Sequence, residues 1–441
     1  MISRCHCTRR CSSVTIIAVY KHRVPERWVH VATGSTALTF ADLGVAMEII
    51  EALEDRGIRT PFSIQELALP VALRGRDIIG QARTGTGKTL GFGIPLLDRV
   101  FDDAEVSAPD GTPRALVVVP TRELCAQVAE DLVSAGEHLP LKIKAVYGGV
   151  AFEPQIAALK SGVDVLVGTP GRVLDLSRRG HLTLSTVEIL VLDEADEMLD
   201  QGFIEDMRTI LLLAKPPHGH RQTMLFSATL PAPVMELTRE FMRKPVRIQA
   251  DSGSSKATHE STRQVVFQSH QLDREEALAK ILGAAEVERT IVFVRTQRQA
   301  GMLGEKLYKR GFAACSIHGG LRQVERERSL KAFRTGQVSV IVATDVAARG
   351  IDVEGVSHVI NVQCPTDERS YVHRIGRTGR AGQEGMAITL VGWDEVHRWN
   401  TIAESLGLQQ FVDPPQRFSE SPDFLESVGL TPGRRSRRRR H

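Results

Sequence analysis

Two carboxylates stand at the end of an apolar run. Asp193 and Glu194 follow Ile189-Leu190-Val191-Leu192, a stretch that reads as a strand buried on both faces. Acids at the carboxyl end of such a strand are costly unless they meet a cation or perform chemistry. In that position one acid can hold Mg²⁺ while its neighbour orients or deprotonates a water. Upstream, Ala82-Arg83-Thr84-Gly85-Thr86-Gly87-Lys88-Thr89 follows a short strand and opens a helix, the setting that a phosphate-binding loop needs. Gly85 and Gly87 let the backbone wrap and aim N–H groups inward. Lys88 would reach the β- and γ-phosphates, the Thr89 hydroxyl would join Asp193 on Mg²⁺, and the helix amino terminus adds partial positive charge. Ala82 departs from the strict pattern, which has Gly at that position.

These groups need a scaffold that brings strand ends together. From Thr39-Phe40 onward, apolar strands alternate with helical patterns such as Glu123–Ser134 and Glu153–Lys160. The strands predicted are Asp77–Gly80, Ala115–Val119, Lys142–Tyr147, Asp164–Val167, Glu188–Leu192 and Thr223–Phe226. After the small, polar Asp251–Thr258 the rhythm resumes with Val265–Gln268, Thr290–Val294, Ala313–Ile317, Val338–Ala343, His358–Asn361 and Ala387–Leu390. This rhythm predicts two α/β domains, each a parallel sheet with helices on both faces. The expected limits are an N-terminal extension at 1–38, a first domain at 39–250, a linker at 251–262, a second domain at 263–410, and a tail without order at 411–441.

Composition narrows the class. The 441 residues are 42% hydrophobic, 25% charged and 5% aromatic, as in globular domains. No apolar run reaches the length of a membrane span, and Val14–Val19 is short for a signal peptide. Six Cys in so long a chain make no disulfide framework, which points to a reduced, cytoplasmic setting. Cys5, Cys7 and Cys11 beside His6 match no zinc spacing. The net charge is +3, yet residues 434–440 hold six Arg and residues 1–33 carry +5, leaving the body at −8. Nucleic acid would therefore meet a local groove rather than a global field.

Taken together, the loop and Asp193-Glu194-Ala195-Asp196 resemble a DEAD-box ATP-dependent RNA helicase, of the bacterial RhlE-like kind, over roughly Phe40 to Gly392. The resemblance implies two tandem RecA-like domains. It makes Gly57–Gln65 a Q motif, in which Gln65 reads adenine, and Phe40 a ring that stacks on the base. Ala82, Thr84, Gly85, Thr86, Gly87, Lys88 and Thr89 would hold the nucleotide. Pro120-Thr121-Arg122, Gly148-Gly149 and Thr169-Pro170-Gly171-Arg172 would hold RNA phosphates, joined by Arg326 and Thr344 from the second domain. By the same resemblance Ser227 and Thr229 bond Asp196, His373 couples the two clefts, and Asp352 contacts the ribose. Arg374, Arg377 and Arg380 recur at helical spacing in His373–Arg380, with Arg377 and Arg380 matching arginine fingers. Gly320 and Val362-Gln363 depart from the usual Asp and Tyr-Asp, and Cys125 from the usual Ala.

The function expected is RNA-dependent hydrolysis of ATP, with Mg²⁺, coupled to local opening of short duplexes by domain closure. The alternatives are an ATP-gated RNA clamp or chaperone, and a DNA-directed helicase of the same superfamily. The expected partners are RNA of any sequence and, among proteins, those of ribosomal-precursor or degradation machinery. The chain itself is expected to be a monomer without a membrane role.

Overall fold

The computed structural model describes residues 38–82, 86–102, 112–216, 220–249, 262–348, 353, 355–379 and 384–433. The N-terminal extension up to residue 37, the linker over 251–261 and the Arg-rich 434–441 lie outside the described residues.

Continuous runs of Val, Ile and Leu produce the strands, because a parallel strand under helices on both faces has no polar side. The first sheet contains β1 Ile78–Gln81, β2 Ala115–Val118, β3 Ile143–Val146, β4 Val165–Gly168, β5 Ile189–Asp193, β6 Gln222–Ser227 and β7 Val246–Gln249. All its pairs are parallel, in the order β3-β4-β2-β5-β6-β1-β7. Its two faces carry separate cores. Phe92, Val117, Val191 and Phe226 lie on one side, and Leu116, Leu190, Met207 and Leu225 on the other. The second sheet contains β8 Thr262–Gln268, β9 Thr290–Phe293, β10 Ala314–Ile317, β11 Val340–Ala343, β12 His358–Asn361 and β13 Gly385–Val391. It is also wholly parallel, ordered β10-β11-β9-β12-β13-β8.

Every predicted strand is present, β12 with the expected ends and the others with ends shifted, and β7 is an addition. Val246-Arg247-Ile248-Gln249 alternates apolar with polar at the sheet edge beside β1, and only Ile248 is fully buried. The tail needs a correction. Residues 411–433, expected without order, pack back onto the second domain. Phe424, Val428 and Leu430 enter its core, and the Phe424 ring meets Phe267 edge-on at 5.8 Å. The Trp399 indole N–H donates to the Phe411 carbonyl at 2.8 Å, and Pro432 bridges Ala284.

Strand order sorts the motifs. At the carboxyl edge of the first sheet, the phosphate loop, the acidic tetrad and Ser227 end the neighbouring strands β1, β5 and β6. The three loops expected on RNA end the adjacent strands β2, β3 and β4. The sheet thus keeps the residues expected on nucleotide and those expected on RNA backbone in separate halves, which meet where β5 pairs with β2.

Candidate functional site

Burial and charge shape the nucleotide half. Lys88 Nζ lies 3.9 Å from Asp193 Oδ1, both side chains are buried, and Nζ has no hydrogen-bond partner. Burial pushes the Asp193 carboxyl well above its ordinary range; Lys88 pulls it back, while Glu194 and Asp196 add to the rise. Such a cluster is relieved by more positive charge. Glu194 sits in the left-handed region, with φ 53° and ψ 51°, a strain of about 1–3 kcal/mol for a residue with a side chain. Its N–H donates to Asp193 Oδ1 at 3.0 Å, and it caps the short helix Ala195–Asp200.

Asp196 faces the other way. The Thr229 hydroxyl and N–H both donate to Asp196 Oδ2 at 2.8 Å, and the Asp196 N–H donates to Ser227 Oγ at 3.1 Å. Burial alone would raise the Asp196 carboxyl, but Ser227 and Thr229 outweigh it and hold the group below the usual range. The expected link between these residues is therefore built, with Ser227 accepting from the backbone.

The Q-motif residues differ from expectation. Gln65 is fully buried: its Nε2 donates to the Gly87 carbonyl and its Oε1 accepts from the Phe62 N–H, both at 2.9 Å. Its amide pins the phosphate loop to the helix Ser63–Ala72, leaving one hydrogen and one lone pair for a base. Gly87 has φ +82°, and a Cβ there would crowd Gln65 and Phe62. Phe40, expected to stack on the base, is 2% exposed and packs in the core with Ile49 and Leu53. Around the loop, Ala82 is buried and Thr86 and Thr89 are half-buried. Arg83, Thr84 and Gly85 of this loop, and Asp352 and Arg380 of the second domain, lie outside the described residues.

The backbone half begins at helix amino termini. Thr121 caps Arg122–Ala135, its hydroxyl accepting from the Leu124 N–H at 3.3 Å, and Thr169 precedes Pro170–Arg178. Pro120 and Pro170 are buried beside them. The Arg122 guanidinium lies over Gly148-Gly149, and a Cβ on Gly149 (φ +78°) would overlap it. Arg172 Nη2 donates to the Val150 carbonyl at 3.1 Å, whereas Nη1 is buried without a partner. Burial lowers the Arg172 pKa. Sequence reasoning missed Phe152, whose ring lies 3.9 Å under Arg172 and 4.6 Å from Arg179; only its place three residues after Gly149 could have signalled it.

In the second domain Arg374 and Arg377 do not share a helical face. The helix Glu368–Ile375 ends at Gly376, so Arg377 falls in the following turn, where its Nε donates to the His373 carbonyl at 3.3 Å. Arg374 turns inward instead. It pairs with Asp345, donates to Asn361 Oδ1 at 3.2 Å and the Gln363 carbonyl at 2.9 Å, and lies over the Phe293 ring. His373 and Arg377 line a small, open cleft with Asp345 and Arg374. Thr344 is buried at the end of β11. The departures find occupants: the Gln297 amide takes the space beside Gly320, and Gln363 Oε1 accepts from the Arg295 N–H at 2.7 Å. Cys125 is buried, its Sγ 3.3 Å from the Val167 carbonyl.

Arg326 and Arg122, expected on RNA, each contact a residue of the other domain. Arg326 Nη2 lies 3.1 Å from Glu123 Oε1, and Arg122 Nη1 donates to Gln323 Oε1 at 3.3 Å.

The comparisons agree with this geometry. Residues 62–237 match the DEAD/DEAH box helicase model, and residues 273–382 the helicase conserved C-terminal domain. The DEAD-box ATP-dependent RNA helicase CshA of Geobacillus kaustophilus is 44% identical over 392 residues, covering 89% of this chain and 82% of the relative. CshA of Bacillus cereus is 45% identical over 353 residues, and there the chain spans 65% of the relative's length. Among solved structures, S. cerevisiae Dbp5 bound to RNA and ADP BeF3 has a TM-score of 0.74 at 30% identity, covering 88% of this chain and 97% of that one. A DEAD box protein from Methanococcus jannaschii has a TM-score of 0.50 at 35% identity, covering 84% and 98%.

Proposed function

Because this chain belongs to the DEAD-box family of ATP-dependent RNA helicases, we propose that it grips the backbone of single-stranded RNA and pries short duplexes open as ATP is bound and hydrolysed between its two domains. The observation that carries the reading is the buried Lys88–Asp193 pair, with an ammonium that lacks a hydrogen-bond partner among the described residues facing a carboxyl pushed up by burial. Terminal phosphates would supply the acceptors that Lys88 lacks. Among the described residues no cluster of three or more His, Cys, Asp or Glu is placed to hold a metal. That fits Mg²⁺, which binds through one or two protein oxygens and substrate phosphates rather than a full protein cage. Thr89 and Asp193 are the residues that would hold it, and its charge would offset that on the phosphate oxygens. Glu194, fixed by its strained backbone, orients or deprotonates the attacking water.

Arg377 and Arg380 act from the second domain, so the site is complete only when the domains meet. Nucleotide and RNA each favour that state and bind cooperatively. The capped helix starts at Thr121 and Thr169, with Arg122 and Arg172, hold phosphates and leave bases unread. The grip on backbone and 2′-OH prefers RNA to DNA. The substrates are structured RNAs of the cytoplasm, with ribosomal-precursor or degradation-machinery proteins as partners and a monomer as the working unit. Among the described residues no helix is long and apolar enough to cross a membrane.

The test is phosphate release with and without RNA, then strand separation of a short duplex. Lys88→Ala and Glu194→Gln are expected to abolish the RNA-stimulated rate while circular dichroism stays native. Normal turnover in either variant, or equal stimulation by DNA, would overturn the reading.

A further inference from the structure

The carboxyl edge of the second sheet carries an aromatic patch that none of the motifs uses. β13 ends at Val391, and two residues on Trp393 stands 56% exposed at the start of a 3₁₀ turn. β8, its neighbour in the sheet, ends at Gln268, and the His270 ring meets the Trp393 ring edge-to-face at 5.0 Å and 69°. Leu272, 85% exposed, sends its N–H to His270 Nδ1 at 3.3 Å, which fixes the ring and makes Nδ1 the acceptor.

The turn beneath Trp393 is rigid. Glu395, 4% exposed, pairs with Arg274 at 2.7 Å and Arg295 at 2.6 Å, and accepts from the Gly392 N–H at 3.0 Å. Exposed apolar surface on a fixed mount is unexplained by packing. Arg295 leads to an occupant. It follows β9, on the edge that also presents Thr344, so the Glu395–Arg295 pair ties the patch to the edge expected to meet RNA in this domain. Arg398 and Asp394, near Trp393 in sequence, are exposed, and Arg295, its side chain 40% exposed, is tied to the turn through Glu395. A half-exposed guanidinium held to the turn that carries a bare ring offers what a nucleotide needs: donors for phosphate and a face for the base.

We infer that Trp393, seated on His270 and flanked by Arg295, is a stacking platform for an RNA base just beyond the stretch held by the motif loops. The inference rests on the RNA reading above. It adds length to the footprint without adding sequence preference, since every base has a π-face.

The experiment measures binding of the full chain, with a non-hydrolysable ATP analogue, to single-stranded RNAs of graded length. Trp393→Ala is expected to weaken long oligonucleotides roughly tenfold, the effect of one lost base–aromatic stack. Short ones should be untouched, and Trp393→Phe should restore most of the loss. Long RNA with abasic ribose along its outer part should bind wild type and Trp393→Ala alike, because the phosphates remain and the base is gone. If wild type itself fails to bind RNA, the functional reading fails and takes the platform with it. If wild type binds and Trp393→Ala matches it on long RNA, only the platform is wrong. Self-association lost in Trp393→Ala, with RNA binding unchanged, would assign the patch to a second copy of the chain and overturn the proposal.

Discussion

Phe152 shows how a single ring can prepare a cation. Arg172 is nearly buried, and only one arm of its guanidinium, Nη2, meets the Val150 carbonyl. The flat face lies on Phe152, which fixes the plane of a guanidinium whose Nη1 is buried without a partner among the described residues, the donor that the proposed phosphate grip would engage. Phe152→Leu keeps the volume and removes the π-face. The expected loss is about 0.5–2 kcal/mol of RNA affinity, read as a few-fold to some thirtyfold rise in Kd with an unchanged melting point. An unaltered Kd would mean that the Val150 carbonyl alone positions Arg172. At this scale the sequence was legible wherever a residue's chemistry is peculiar to it. Lys88, Asp193 and Asp196 stand where their types demanded. It was incomplete where one residue type serves two ends. Gln65 can pin a loop as well as read a base, and it pins Gly87 with one hydrogen and one lone pair to spare; Phe40 can stack or fill a core, and it fills the core.

The strands were readable because burial on both faces leaves uninterrupted Val, Ile and Leu, as in β5 and β11. The segment 411–433 was not, because its apolar residues are few and separated by Pro, Ser and Asp. Its order comes from long-range contacts: Ser419 N–H donates to Asp273 Oδ2 at 2.7 Å, and Thr431 N–H to Glu286 Oε2 at 3.1 Å. The segment therefore belongs to the second domain. Phe424→Ala removes a ring that is 2% exposed, and is expected to cost about 3–5 kcal/mol. Because the first domain has cores of its own, a two-step urea transition should appear, the first step falling and the second fixed. A single transition moved as a whole would show the two domains unfolding as one unit. The helical spacing of Arg374 and Arg377 failed for a related reason. Gly376 ends the helix between them, so Arg374 is held by Asp345 from the helix and Arg377 by the His373 carbonyl from the turn, though both line the same cleft.

Between the domains, the contact at Glu123 decides what RNA must do on arrival. Glu123 is 6% exposed and accepts from Arg326 at 3.1 Å and from Gln323 Nε2 at 3.4 Å, while Gln323 also takes Arg122. Two arginines of the expected RNA surface are thus tied to a carboxylate or an amide across the cleft, and their remaining donors are what a phosphate can use. If the domains part as proposed, water takes over each charge, so the pair favours the state in which they meet. Glu123→Gln keeps the shape but leaves Arg326 desolvated opposite a neutral amide. The cost expected for losing one side of a buried charge pair is about 2–5 kcal/mol. The reading predicts that more RNA and more ATP are both needed to reach half-maximal turnover, since each ligand must now supply the closure energy that Glu123 contributed. Closure followed by energy transfer between one dye on each domain should shift with the same ratio. If the two ligand requirements move independently, or if only the RNA term moves, Glu123 is a local support for Arg326 and the coupling between the sites runs elsewhere.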